Sequence, residues 1–250
     1  MHRFYCLIIL IVFTFNLHAQ SEKTDEDKWK DRLQENYDIY VRKVKYQREH
    51  LPWIDVHFGL NNWVTNDFAL NDGNAEAELL RSWAWKFGMG GKYRLSKTPL
   101  VFQYGLQFSV HRLGLSDNNA LVKSENSVDI QPLEDVDMVR SQVVVSYMNI
   151  PLMVHLDFSD YGIDNGFTFG VGGEVGLRIN GYQRQIFNDA FGDEMRVKST
   201  GNYHFQTLRY GLAAQLGYGS YKLSAGYDLN PVFANGPDGR MVYLLLGIVL

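Results

Sequence analysis

The sequence predicts an all-β fold: an eight-stranded antiparallel up-and-down transmembrane β-barrel, preceded by an N-terminal periplasmic arm of helical character. Three observations carry this expectation. From Pro52 onward, apolar and polar residues alternate with period two in eight segments. The connections between those segments alternate between long and short. The less apolar side of the segments is crowded with Gly, where a water-facing surface would favour Lys, Glu and Thr.

Composition agrees with strands and turns. The 250 residues include 15 Tyr, 15 Phe and 23 Gly, but only 6 Pro. A formal net charge of -4 gives no basic field for a nucleic-acid partner.

In chain order, residues 1–19 read as a signal peptide. His2 and Arg3 make a cationic start, residues 4–15 an apolar run too short to span a bilayer, and cleavage is expected after Ala19. The only cysteine, Cys6, lies within it, so the exported chain is expected to carry no thiol, disulfide or thiolate metal site. Residues 20–52 form the charged arm. In it Trp29, Leu33, Tyr37, Tyr40 and Val44 follow helical spacing, which predicts an amphipathic helix from Asp25 to Gln47. This aromatic stripe either sits on a solvated arm or docks on a partner.

Residues 53–250 form the barrel domain, with strands expected at 53–62, 82–96, 100–112, 140–157, 166–181, 205–217, 221–229 and 240–250. Most reach the roughly 9–11 residues that a tilted strand needs to cross a bilayer. The stretch GFTFGVGGEVGLRING, residues 166–181, sets the pattern. Phe167, Phe169, Val171, Val175, Leu177 and Ile179 share one side, and Thr168, Gly170, Gly172, Glu174, Gly176 and Arg178 share the other. The fourth strand is less regular: Val143, Val144 and Val145 are consecutive and Pro151 lies inside it, so a bulge or bend is expected there. Connections after strands one, three and five are long, and those after two, four and six are short. That pattern puts the short turns and both termini on the periplasmic side of the outer membrane of a Gram-negative bacterium.

Alternation alone does not say which side meets water. The Gly-rich side does. Glycine within a strand is costly unless space requires it, and eight strands enclose an interior only just wide enough for side chains. The bulky side, with Trp and Tyr near strand ends as interfacial girdles, is therefore expected to face outer-membrane lipid.

The segment SYMNIPLMVHLDF, with Tyr147, Ile150, Pro151 and Leu152, resembles a motif strand of the PorT-like family of outer-membrane β-barrel proteins. The Gly-rich strand after it and YKLSAGYDLNPVF are similar to that family's pattern. The resemblance implies a barrel without one shared activity; the member giving the family its name belongs to a protein secretion system. Such barrels usually end in an aromatic residue, whereas this chain ends in Leu250.

The expected lumen polar network comprises Asp55, His57, Lys86, Lys92, Gln103, Gln107, His111, Glu174, Arg178, Arg209, Lys222 and Asp228, with Arg209 near Glu174 and charges compensating one another. No cofactor, metal or catalytic residue is expected. The alternative of a lipid-modifying or proteolytic barrel rests on Ser109 and His111, which share a face about 6.6 Å apart, beyond direct hydrogen-bond reach. A second alternative is a narrow small-solute transporter. The long loops are expected to be solvated: residues 113–139 carry an acidic excess, and residues 182–204 place Phe187 and Phe191 where they can fold over the mouth. The reading is thus a non-enzymatic barrel, structural or bound to a periplasmic or cell-surface protein partner.

Overall fold

The computed structural model describes residues 25–47, 50–64, 81–96, 98–115, 118–133, 138–159, 162–188, 192–201 and 203–250. The expected signal peptide, the acidic residues Asp117, Glu134, Asp135 and Asp137, and Phe191 lie outside them. The chain divides into two units at Lys45–Tyr46. Helix α1 (Asp25–Gln47) belongs to the first except for its last two residues. Its sequence lacks Gly and Pro, its side chains make i,i+4 contacts such as Gln34 with Asp38, and Trp29, Leu33 and Tyr37 form an exposed stripe.

Among the described residues the second unit holds eleven strands: β1 (His50–Val64), β2 (Trp83–Arg94), β3 (Leu100–Leu115), β4 (Asn119–Lys123), β5 (Val128–Pro132), β6 (Met138–Asp157), β7 (Phe167–Asn188), β8 (Glu194–Ser199), β9 (Leu208–Tyr218), β10 (Tyr221–Asp228) and β11 (Arg240–Val249). Eight of them close a ring in the order β1-β2-β3-β6-β7-β9-β10-β11, every neighbour antiparallel, with β11 returning to β1 from Asp55↔Val249 to Val64↔Arg240. The ring satisfies every stave on both edges, which a sheet in hydrocarbon requires. Strand β8 extends the far end of β7, and β4–β5 is a separate hairpin.

The bulky side faces out. Ile54, Val56, Phe58 and Leu60 on β1 and Phe167, Phe169, Val171, Val175 and Leu177 on β7 are exposed, while Asp55, His57, Thr168 and Glu174 between them are buried. The glycines of the inner side make room for large lumen side chains. The indole of Trp53 lies across β2 and β3, donates from Nε1 to the Tyr104 carbonyl at 3.2 Å, and covers glycines of both strands. A Cβ at Gly88 would stand 2.5 Å from that ring, and one at Gly105 2.8 Å.

Several expectations are corrected. The sixth stave begins at Leu208, not at residue 205; Phe205 instead forms an isolated bridge with Phe233. Pro151 causes no bulge. It faces the lumen and interrupts the ladder with β3, which resumes in the same register from Tyr104↔Leu152 to Gln107↔Asn149. The register shifts of β6 against β7 lie at Ser146/Tyr147 and Met138/Arg140. Trp53 and Trp63 are buried inside instead of joining a girdle; outward aromatics include Trp83 on Phe58 and Trp85 on Phe108 toward the long loops, and Phe158, Phe167, Tyr218 and Tyr221 at the short turns.

The largest correction concerns the long-loop end. Residues 113–139 do not form a merely solvated loop: β3 continues to Leu115, and the β4–β5 hairpin buries Ala120, Leu121, Val128 and Ile130. Leu121, Val128 and Ile130 pack with Trp63, Leu113, Val143, Val145, Tyr203, Phe205, Phe233 and Met241 in one apolar cluster. The small polar filling therefore gives way to a hydrophobic cap, which explains why the valine run of β6 does not alternate. Phe187 is only half-buried on β7, and Phe205, stacked on Phe233 with ring centroids 5.2 Å apart, occupies the cap instead.

Facing makes a direct prediction. Gly88→Val adds volume against Trp53 and Asp55 and should destabilise the barrel by about 1–3 kcal/mol, whereas outward Val171→Ile should change stability by less than about 0.5 kcal/mol. The urea midpoint of the heat-modifiable gel band, measured in detergent, reads both.

Candidate functional site in the barrel lumen

Inward residues are set by strand parity, and register then decides which of them meet. At mid-height Glu174 on β7, Gly211 on β9 and Asp228 on β10 form one cross-strand row. The glycine leaves space for Arg209, two residues along β9, to reach both carboxylates. Its Nε donates to Asp228 Oδ2 at 2.7 Å, and its Nη1 is 3.4 Å from Glu174 Oε2. Across the lumen, Lys86 Nζ on β2 donates to both Glu174 oxygens at 2.6 and 2.8 Å. Tyr243 of β11 donates to Glu174 Oε1 at 2.9 Å, and the Lys86 ammonium lies 3.7 Å from the centre of its ring.

Two cations thus face two anions with almost no solvent contact. Such an arrangement is stable only when every charge has a partner. Asn149 extends it, accepting from Arg209 Nη1 at 3.2 Å and donating to Ser109 Oγ at 2.9 Å.

The short-turn end holds a second cluster. Lys92 and Lys222 both pair with Asp164, Lys222 at 3.0 Å. Arg94 Nη2 donates to Asp157 Oδ2 at 2.7 Å and to the Gly162 carbonyl at 2.8 Å. These bonds draw the turn between β6 and β7 across the barrel end. Burial pushes the Asp164 carboxyl up, but the two lysines outweigh it and hold the group below its ordinary range.

The sequence-predicted residues are therefore distributed in tiers. Lys86, Glu174, Arg209 and Asp228 meet at mid-height, and Lys92 and Lys222 meet at the turn end. Asp55 and His57 form a separate pair on β1, with His57 Nε2 3.0 Å from Asp55 Oδ2 and its Nδ1 3.1 Å from Ser224 Oγ. Gln103 and Gln107 are buried on β3, outside the ion pairs. His111 packs against the Tyr147 and Tyr243 rings, and among the described residues neither of its nitrogens has a hydrogen-bond partner. Arg178 pairs with inward Tyr147 beside the β7 register shift; it is half-buried, with its guanidinium 5.8 Å from the Phe205 ring and outside the ion pairs. Of the motif strand, Tyr147 and Pro151 face the lumen, and Ile150 and Leu152 face outward.

Arg94, Asp157, Tyr243, Asn149, Ser224 and Asp164 join these clusters beyond the residues expected from the sequence. The first five lie at inward parity on their strands, so alternation could have found them. Asp164 sits in a turn, in a left-handed conformation with φ of 65°, where parity has no reach.

A closed eight-stranded ring with an apolar exterior and an ion-paired interior defines an integral membrane β-barrel. The chain belongs to the outer membrane protein beta-barrel domain family, whose model matches residues 45–234. Among solved structures it is similar to Neisserial surface protein A (NspA), at 11% identity over 80% of this chain and 97% of that chain, with a TM-score of 0.36. It is also similar to a multiple mutant of the porin of Rh. blastica, at 12% identity over 80% of this chain and 100% of that chain, with a TM-score of 0.20. A search of curated proteins finds no match.

Two measurements test the network. Glu174→Gln leaves Lys86 and Arg209 short of buried negative charge and should cost about 3–5 kcal/mol in urea unfolding; Lys86→Met with Glu174→Leu should cost less than the single change. For Asp164 the depressed carboxyl contributes stability above its unfolded value of 3.8, and that contribution is lost as pH falls through the lower folded value. Asp164→Asn should remove this part of the acid destabilisation, measured as the pH dependence of the unfolding midpoint below pH ~4.

Proposed function

We propose that this is a non-enzymatic, PorT-like outer-membrane barrel that works by binding a periplasmic or cell-surface protein, in association with protein secretion. Residues 1–19 serve as its export signal. The observation that carries the reading is the filled lumen: an apolar cap at the long-loop end, a neutral ion network at mid-height, and a turn clamped by Lys92, Lys222 and Arg94 at the other end. This supports a scaffold over a solute conduit, because a conducting path would require breaking buried ion pairs.

The exposed stripe Trp29, Leu33 and Tyr37 of α1 offers the partner surface, since an amphipathic helix recognises a groove through i, i+4 anchors. A photo-crosslinking residue at Leu33 should give a discrete protein adduct in native envelopes, and one at outward Leu152 should not. Adducts at neither position would contradict this reading. Purified protein in a planar bilayer should show no discrete conductance steps; regular steps would favour the transporter.

The hydrolase reading now rests on Ser224, His57 and Asp55, because Ser109 bonds Asn149. All three are enclosed in the lumen, where a substrate has no approach to Ser224. Intact barrel should accordingly resist labelling by a fluorophosphonate; Ser224-dependent labelling would establish the hydrolytic alternative.

A further inference from the structure

Outside the lumen, the outward face of β3, β6, β7 and β8 changes character toward the long loops. Below, it is purely apolar: Leu156, Val154, Leu152, Ile150 and Met148 on β6 are all exposed. Above, register brings cations together on the same face. Arg112 of β3 pairs with Val144 of β6, Gln142 of β6 with Arg184 of β7, and Arg184 with Lys198 of β8; Arg140 of β6 pairs with Ile186, which pairs with Arg196.

Five cationic side chains thus share one outward surface. Two are propped on rings. The Arg112 guanidinium lies 5.3 Å from the Trp83 ring and donates to Gln142, and the Lys198 ammonium lies 4.2 Å from the Tyr182 ring. Arg140 and Arg184 are near enough to repel Arg112. Among the described residues, Arg196 pairs with Glu194 at 3.4 Å, and no carboxylate pairs with Arg112, Arg140, Arg184 or Lys198. Among the described residues, then, this patch is not a self-contained ion-pair network like the lumen. It awaits an anion.

The height of the patch identifies the anion. A strand tilted about 40° rises roughly 30 Å from Leu156 to Val144, the thickness of a hydrocarbon core. Arg112, opposite Val144, therefore stands where acyl chains end and headgroups begin. Arginines presented there suit phosphate, which they bind through paired charge-assisted hydrogen bonds.

We propose that Arg112, Arg140, Arg184 and Lys198 bind the phosphorylated headgroup of an outer-leaflet glycolipid, whose acyl chains lie along the apolar face below. This site is independent of the partner surface on α1.

The test uses the full-length protein in nonionic detergent, titrated with bisphosphorylated lipid A, its dephosphorylated form, and inorganic pyrophosphate. Bound lipid is read by native mass spectrometry. Wild type should hold the bisphosphorylated lipid at least about tenfold more tightly than the dephosphorylated one. Arg140→Gln/Arg184→Gln/Lys198→Gln should lose that preference, and Arg140→Lys/Arg184→Lys should keep most of it. Retained heat-modifiable migration shows that the variants fold; should the triple variant not fold, the comparison of the two lipids on wild type decides. Equal binding of both lipids, an unchanged preference in the folded triple variant, or pyrophosphate binding as tight as the phosphorylated lipid would overturn the proposal.

Discussion

A strand in hydrocarbon has no water for its peptide groups, so both of its edges must be hydrogen-bonded to other strands. Everything else in this molecule follows from closing that ring with eight staves. Closure removes the edges but creates a narrow interior that the chain must fill from its own inward side chains. The glycines under Trp53 and between Glu174 and Asp228 are the volume half of the solution. The charge half is the pairing of Lys86 and Arg209 with Glu174 and Asp228. Either half alone would leave a void or an uncompensated charge.

The two ends of the barrel are closed by different physics. At the short-turn end Lys92, Lys222 and Arg94 hold the turn between β6 and β7 through Asp164 and Asp157. At the long-loop end β6 and β7 rise beyond their neighbours and the connecting segments are long enough to carry their own hydrophobic side chains, so the β4–β5 hairpin and the loops around Phe205 and Phe233 build an apolar cap. The outer surface has a similar division, with acyl-facing residues giving way to Trp83, Tyr182 and a run of cations at the level of the headgroups.

Much of this was legible in the sequence because period-two alternation is a local property. All eight staves, the outward facing of Phe167, Phe169 and Val171, and the burial of Lys86, Glu174, Arg209 and Asp228 can be read from parity alone. What escaped is set by tertiary contact. Phe205 looks like the start of a strand, yet packing against Phe233 takes it out of the sheet. Pro151 looks like a bulge site, but a lumen-facing proline loses one ladder bond without shifting the register. Arg178 keeps the register and parity of Glu174, opposite inward Tyr147, but its guanidinium lies 5.8 Å from the Phe205 ring and outside the ion pairs, a contact that parity does not reveal. Asp164 gave no signal, since turns have no period.

The central claim is that lipid touches the bulky side of every stave. With Cys6 replaced by Ser, the chain has no other cysteine, so single cysteines along β7 can each carry a spin label. Collision with dissolved oxygen in reconstituted bilayers should be high at 167, 169, 171, 175 and 177 and low at 168, 170, 172, 174 and 176. The opposite phase, or uniform access of a water-soluble nickel reagent to the odd positions, would contradict the account.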